Sequence, residues 1–386
     1  MSEVQGIYDD RFSPLRDLFQ ENLGAGEDLG ASIAVVRNGV SLVDLWGGWS
    51  NTERSTPWVQ DTITTTWSVT KTMTALAALV LVDRGELDVY SPVAKYWPEF
   101  AANGKAGIEV RHLLSHTSGV SGWDPPFAHE DVYDWDRSTS LLAAQAPWWA
   151  PGSASGYHNT SYGHLVGEVV RRITGTTIGK FFADEIAGPL EADFHIGLPE
   201  RDFPRVSNVV FPGYPFPEDP LAEPLDPDSV PAKTFGPPFD EVAEAATDAW
   251  RRAEIPAGNG HGNARSVARI QSIVSNGGEV GGVRLLSPRT IELIFHQQSD
   301  GVDLAVGLPA RFGIGYGLPH PVLIPYVPDS RCCFWFGWGG AIVVNDLDRQ
   351  MTFAYVMNKM GMSSPGGLGT ERTKAYTQAA FLCADA

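Results

Sequence analysis

Cysteine is almost absent from this chain: Cys332, Cys333 and Cys383 are the only three in 386 residues. Adjacent cysteines rarely bridge without strain, and an odd count leaves at least one thiol free. A disulfide-stapled secreted scaffold does not fit; reduced thiols and a cytoplasmic protein do, with Cys332 and Cys333 in a buried strand. Positive charge is also short. Lys and Arg total 28 against 46 Asp and Glu, a formal charge of −18. A nucleic-acid binder needs a basic face, and no Lys/Arg cluster supplies one, so the acidity is read as a solubility feature. No apolar run reaches the roughly 18 residues that a membrane span requires. The start, Met1-Ser2-Glu3-Val4-Gln5-Gly6, has neither the basic nor the apolar region of a signal peptide. Neither nucleic acid nor membrane is an expected partner.

Familiar catalytic signatures are missing too. No Gly-x-Ser-x-Gly elbow occurs, so an α/β-hydrolase triad has no anchor. There is no His-Glu-x-x-His and no convincing metal spacing, and neither metal nor cofactor is expected. His112, His116 and His261 are read as hydrogen-bonding structural residues. His158 stands nearest the motifs below and is expected to line a pocket.

What is present is a well-buried globular chain, 43% hydrophobic and 19% charged. Its length exceeds the roughly 250–300 residues at which single cores stop growing, so two lobes are expected. Residues Ile7 to Leu23 read as an amphipathic helix. Arg37-Asn38-Gly39 separates two β-rich runs, 31–36 and 40–46, as a hairpin turn does. Arg111 to Gly119 reads as a short helix ending in a turn, and Tyr162 to Thr174 as another helix. Prolines 212, 215, 217, 220, 224 and 227 preclude regular helix or central strand. Residues 199–256 therefore form a long surface excursion, either a passive insertion or a cover over an active site. Ser266 to Ser275 is helical. Strands are expected at Phe312 to Tyr316, Cys332 to Phe336, Ala341 to Val344 and Met351 to Asn358, then a helix from Thr370 to Cys383. Strands at both ends with helices between suggest one sheet built from both termini.

The most informative motif is Ser68-Val69-Thr70-Lys71, the only serine with a lysine three residues on. On a helix, i and i+3 share a face, about 5–6 Å apart between Cβ atoms. A serine hydroxyl is a poor nucleophile until a neighbour takes its proton, which a lysine of lowered pKa does. Met73, Leu76, Ala77, Val80 and Leu81 follow as the apolar stripe of a packed helix, and Gly85 supplies a stop. The dyad then sits on the first helical turn, where the helix dipole favours developing negative charge. Lysine is scarce in this chain, which sharpens the match.

Two further segments follow in order: Tyr157-His158-Asn159 after Pro151-Gly152, and Gly337-Trp338-Gly339-Gly340-Ala341. With Ser68-Val69-Thr70-Lys71 they resemble the serine β-lactamase and penicillin-binding-protein family, in the version of class C β-lactamases and family VIII carboxylesterases. The resemblance runs from about Ala31 to Lys359 and includes His112-Leu113-Leu114-Ser115-His116-Thr117-Ser118-Gly119 and Leu285-Leu286-Ser287-Pro288. It implies an α+β, β-lactamase/transpeptidase-like fold: an antiparallel sheet flanked by helices plus a mostly helical second domain. The implied boundaries are 1–79 with 164–386 for the sheet domain and 80–163 for the helical one, with the active site between them.

It also implies roles. Ser68 is the nucleophile, Lys71 shares its proton, and Tyr157 acts as base or relays the proton to the leaving group. Free tyrosine and lysine titrate near 10 and 10.4; together, a cationic lysine favours tyrosinate while low dielectric disfavours the ammonium, so the pair is expected to titrate as a unit. The backbone N–H groups of Ser68 and Ala341 form the oxyanion hole. Asn159 suits either a turn or orientation of lysine and substrate. Gly339 and Gly340 let backbone approach the substrate. One departure bears on substrate: where β-lactamases and transpeptidases carry Lys-Thr-Gly, this chain has Trp338-Gly339-Gly340, as family VIII esterases do. Indole offers apolar contact and one N–H but no positive charge. A carboxylesterase acting on small to medium neutral esters through an acyl-enzyme is expected. The alternatives on the same machinery are a β-lactamase, a D-amino-peptidase or small-amide hydrolase, or an acyltransferase.

Overall fold

The computed structural model describes residues 3–213, 226–236, 241–363 and 368–386. Six antiparallel strands make its central sheet: β1 Gln5–Tyr8, β2 Gly30–Arg37, β3 Val40–Gly48, β4 Cys332–Phe336, β5 Ile342–Asp346 and β6 Met351–Met357. Their order is β1-β3-β2-β6-β5-β4. The two chain ends meet at the β2–β6 seam, where Ile33 pairs with Tyr355 and Val35 with Phe353. The β2–β3 turn is Asn38-Gly39, both at positive φ (52° and 73°), the geometry that two-residue hairpins favour.

Both faces of the seam are covered. Alternate side chains of a strand point to opposite faces, and here each face has its own helix. Ser32 Oγ accepts from the N–H of Ala264, which opens the helix Ala264–Ser275. On the other face Tyr355 packs against Tyr376 of the C-terminal helix Glu371–Asp385. Fully buried Asp28 ties this layer together. It accepts from Tyr355 Oη at 2.6 Å, Tyr376 Oη at 2.5 Å and the Arg372 guanidinium at 2.5 Å. Such a buried carboxylate is tolerable because both oxygens accept hydrogen bonds and a guanidinium pairs its charge.

The helix Thr70–Asp83 is not the one-sided helix its spacing suggested. Every residue from Thr70 to Leu81 is buried, as for a helix enclosed on all sides. Its polar residues are satisfied internally: Thr72 Oγ1 donates to Val69 O, and Thr74 Oγ1 to Pro256 O. It packs against the helices Ser161–Thr174 and Ile178–Phe182. Between residues 80 and 163 the named elements are helices and turns, including Val110–Leu114 and Trp135–Ala144.

Two sequence expectations shift. The N-terminal helix begins at Ser13, because residues 5–8 pair with β3 as an edge strand and Pro14 sits in the first helical turn. Residues 313–315 turn rather than extend: Gly313 N–H bonds Tyr316 O, and the strand is Pro309–Phe312. In the proline-rich excursion the described residues form only short helices, Val230–Phe235, Glu241–Glu244 and Asp248–Arg252, after a 3-10 turn at Glu200–Arg205. Pro215, Pro217, Pro220 and Pro224 lie outside the described residues. Cys332, Cys333 and Cys383 are unpaired and buried. Among the described residues no helix is long and apolar enough to cross a membrane.

Candidate active site

The motif serine sits on a strained turn. Trp67 has φ of +51°, a left-handed conformation that costs a bulky residue about 1–3 kcal/mol. Ser68 follows within the 3-10 turn Trp67–Val69, which runs directly into the helix. The turn is held from behind by the segment 259–263. Thr66 donates from both N and Oγ1 to Gly260 O, and Gly260 N–H donates to Thr70 Oγ1. A Cβ on Gly260 would stand 2.5 Å from the Phe194 ring and 2.6 Å from Thr70 Oγ1. The segment thus buttresses the turn, and His261 within it is buried against Thr65.

Ser68 Oγ lies 3.0 Å from Lys71 Nζ and 2.7 Å from Tyr157 Oη. Lys71 is 1% exposed. Its Nζ donates to Ala257 O at 2.9 Å and lies 4.8 Å from the Tyr157 ring centre. Burial drives the Lys71 pKa well below its ordinary value, with Glu241 pulling the other way. Burial also raises Tyr157. Enclosure therefore favours neutral amine beside neutral phenol, and works against the tyrosinate expected from the sequence. Tyr157 is set in place by Asp303, whose Oδ1 accepts its backbone N–H at 2.9 Å and also those of Ala305 and Val306. Behind it His116 stacks on Tyr162 and Trp335, with ring centres 5.0 and 5.2 Å apart. Burial keeps His116 neutral at ordinary pH.

The turn 337–341 between β4 and β5 completes the site. The backbone N–H groups of Ser68 and Ala341 have no backbone acceptor among the described residues. Gly339 and Gly340 line the cavity, but their own backbone already requires glycine. They have φ of +81° and +125°, and a Cβ on Gly339 would stand 2.4 Å from Met360 Cβ. Trp338 packs edge-on against Trp67 and Phe211, at 5.2 and 5.5 Å. Asn159 lines the same cavity.

His158 does not face that cavity. It is fully buried, with Nδ1 against Gly156 O and Nε2 against Ser118 Oγ, both at 2.6 Å. With both nitrogens engaged it holds the 116–118 turn to the Tyr157 segment.

Two charged residues of the cavity were not legible in the sequence. Glu241 comes from the proline-rich excursion. Its carboxylate bonds the Asn159 side chain, and burial raises it to about 7, with Lys71 and Asn159 opposing. No local pattern marks it, since the contact exists only once the excursion folds over the site. Arg311 is the other; it pairs with Asp300 at 2.9 Å and donates to Pro319 O. The cavity encloses about 490 Å³, with walls including Trp67, Trp250, Phe235, Leu308 and Phe334. No metal-binding cluster occurs among the described residues.

A serine in contact with a lysine and a tyrosine, on the turn that opens a buried helix beside an antiparallel sheet, is the arrangement of a serine hydrolase of the β-lactamase type. The chain belongs to the β-lactamase family, whose model matches residues 15–377. It is 32% identical over 370 residues to the esterase/β-lactamase LipL of Mycobacterium tuberculosis, covering 92% of this chain and 83% of that protein. It is similar in structure to a family VIII carboxylesterase at a TM-score of 0.90 and 35% identity, covering 99% of this chain and 100% of the other. A penicillin-binding-protein homologue from Caulobacter crescentus superposes at a TM-score of 0.88 with 34% identity, over 98% of this chain and 99% of that one.

Proposed function

We propose that the protein is a carboxylesterase that cleaves small to medium neutral esters through an acyl-enzyme on Ser68. The observation that carries this reading is Ser68 Oγ in contact with both Lys71 Nζ and Tyr157 Oη at the base of a largely apolar cavity. Lys71, kept neutral by burial, takes the Ser68 proton as Oγ attacks the ester carbonyl. The N–H groups of Ser68 and Ala341 hold the oxyanion. Tyr157 gives its proton to the departing alkoxide and recovers one from Lys71, leaving the acyl-serine and free alcohol. Water then attacks the acyl group by the same steps in reverse. The pair acts as one titrating unit.

Trp338 supports an uncharged substrate, since it stands where the family's β-lactam-binding members carry a cation. Of the arginines able to replace that charge, Arg331 is paired with Glu292 and Arg349 with Asp346 and Asp385, away from the cavity. Arg311 does reach the cavity, which favours β-lactam hydrolysis as the second reading, but Asp300 already neutralises it. We also read 80–163 as a helical lobe against the sheet lobe, with the site between them. Unpaired buried thiols suit a reducing compartment, and we place the protein in the cytoplasm, which cell fractionation checks. Ser68→Ala should abolish hydrolysis of p-nitrophenyl butyrate with the fold retained, and an organophosphonate should label Ser68. Label on another serine overturns the assignment.

A further inference from the structure

We propose that Glu241 makes this cavity selective for esters carrying an ammonium or quaternary ammonium group over esters carrying a carboxylate. The inference rests on the esterase reading for its chemistry and on the cavity itself for its recognition. Glu241 lines the same cavity as Ser68, Tyr157 and Asn159. A cation is attracted to a carboxylate by charge and to aromatic ring faces by their quadrupole, the interaction that aromatic cages use for quaternary ammonium. The cavity has the carboxylate of Glu241 and the aromatic residues Trp67, Trp250, Trp338 and Phe235 in its walls.

The other charges nearby do not cancel the effect. Lys71 lies buried behind Ser68, where burial opposes its charge. Arg311 is paired with Asp300. On the far side of Glu241, Lys233 sits over the Trp148 ring at 5.5 Å, and His129 faces Glu244 at 3.4 Å. An entering cation favours the ionised form of Glu241, whereas an entering carboxylate must either meet a like charge in a poorly hydrated space or drive a proton onto Glu241. At an effective dielectric near 20, one unit charge several ångströms away shifts affinity by about 10-fold or more in each direction.

Two experiments test this. The cavity tryptophans give a fluorescence signal that needs no turnover, so phenyltrimethylammonium and benzoate are titrated into the wild type and Glu241→Gln. The wild type should bind the cation at least ~10-fold tighter, and Glu241→Gln should bring the two within about threefold. The second measures the kcat/KM ratio for the p-nitrophenyl esters of 4-(trimethylammonio)butyrate and hydrogen glutarate. That ratio should fall by about 10²-fold in Glu241→Gln and invert in Glu241→Lys. Equal binding of the two probes by the wild type overturns the proposal without any variant, as does a cation preference that survives Glu241→Gln. If instead the cation is preferred but p-nitrophenyl butyrate is not hydrolysed, the esterase reading fails and the recognition stands.

Discussion

Replacing Lys71 probes the chemistry most sharply, because the structure gives this side chain two separable properties. It is a hydrogen-bond donor to Ser68 Oγ at 3.0 Å and to Ala257 O at 2.9 Å, and burial makes it an amine that sheds its proton readily. Lys71→Ala removes both. General-base help is worth about 10²–10⁴ in rate, or roughly 2.7–5.5 kcal/mol of barrier at 1.36 kcal/mol per tenfold. Lys71→Arg keeps a donor of similar reach but cannot release a proton. If Lys71 serves as an acceptor, the two variants should be damaged equally. Steady-state hydrolysis of p-nitrophenyl butyrate reads kcat, and a thermal melt separates chemistry from folding. Tyr157→Phe should also lose at least ~10². The double variant should fall far short of the product of the singles, as for residues acting as a unit. Retained activity in Lys71→Arg, or fully multiplicative losses in the double variant, would refute the reasoning.

Further outcomes follow from the geometry. Trp338 is half-buried, so Trp338→Ala should cost only about 1–2 kcal/mol of apolar contact, seen as a roughly 10-fold lower kcat/KM for p-nitrophenyl butyrate carried mainly by KM. Gly339→Ala meets Met360 Cβ at 2.4 Å from a φ of +81°. It should lower the melting temperature, with at least ~1–3 kcal/mol of strain, and depress kcat by moving the Ala341 N–H. Asp28→Ala leaves Arg372 as an uncompensated buried charge and should destabilise by about 3–5 kcal/mol in urea titration. The titratable groups facing Lys71 include Tyr157, Tyr162, His116, His158 and Glu241. Of these only Glu241 favours the ammonium by its charge. Glu241→Gln should therefore lower the Lys71 pKa further, keep the amine neutral to lower pH, and shift the acid limb of the kcat–pH profile downward; an upward shift contradicts this sign.

The contact between Ser68 and Lys71 was legible because its signal is local. Ser68 and Lys71 lie one helical turn apart, and Gly85 marks the helix end within the same stretch. The β2–β3 hairpin was legible for the same reason, through Asn38-Gly39. Tyr157 and Ala341 lie far from Ser68 in the chain and became readable only through the ordered resemblance. Burial was harder to see. Spacing gave the helix Thr70–Asp83 one apolar face, yet Thr72 and Thr74 turn back onto backbone carbonyls and let it be enclosed all round. His158 looked like a pocket residue because it adjoins Tyr157, but the neighbouring side chain turns to Ser118 and away from the cavity. Glu241 and Asp303 left no trace, since the first reaches the site only through an irregular excursion and the second works through backbone N–H groups.

The central claim is that Ser68 carries the acyl group of a neutral ester. Intact-protein and peptide mass spectrometry after rapid acid quench tests it directly, with p-nitrophenyl butyrate and a chromogenic cephalosporin offered separately. The account predicts a butyryl adduct on the Ser68 peptide, accumulating in Tyr157→Phe and missing from Ser68→Ala, with the cephalosporin acylating far more slowly. A butyryl group on any other residue, or faster acylation by the cephalosporin, would contradict it.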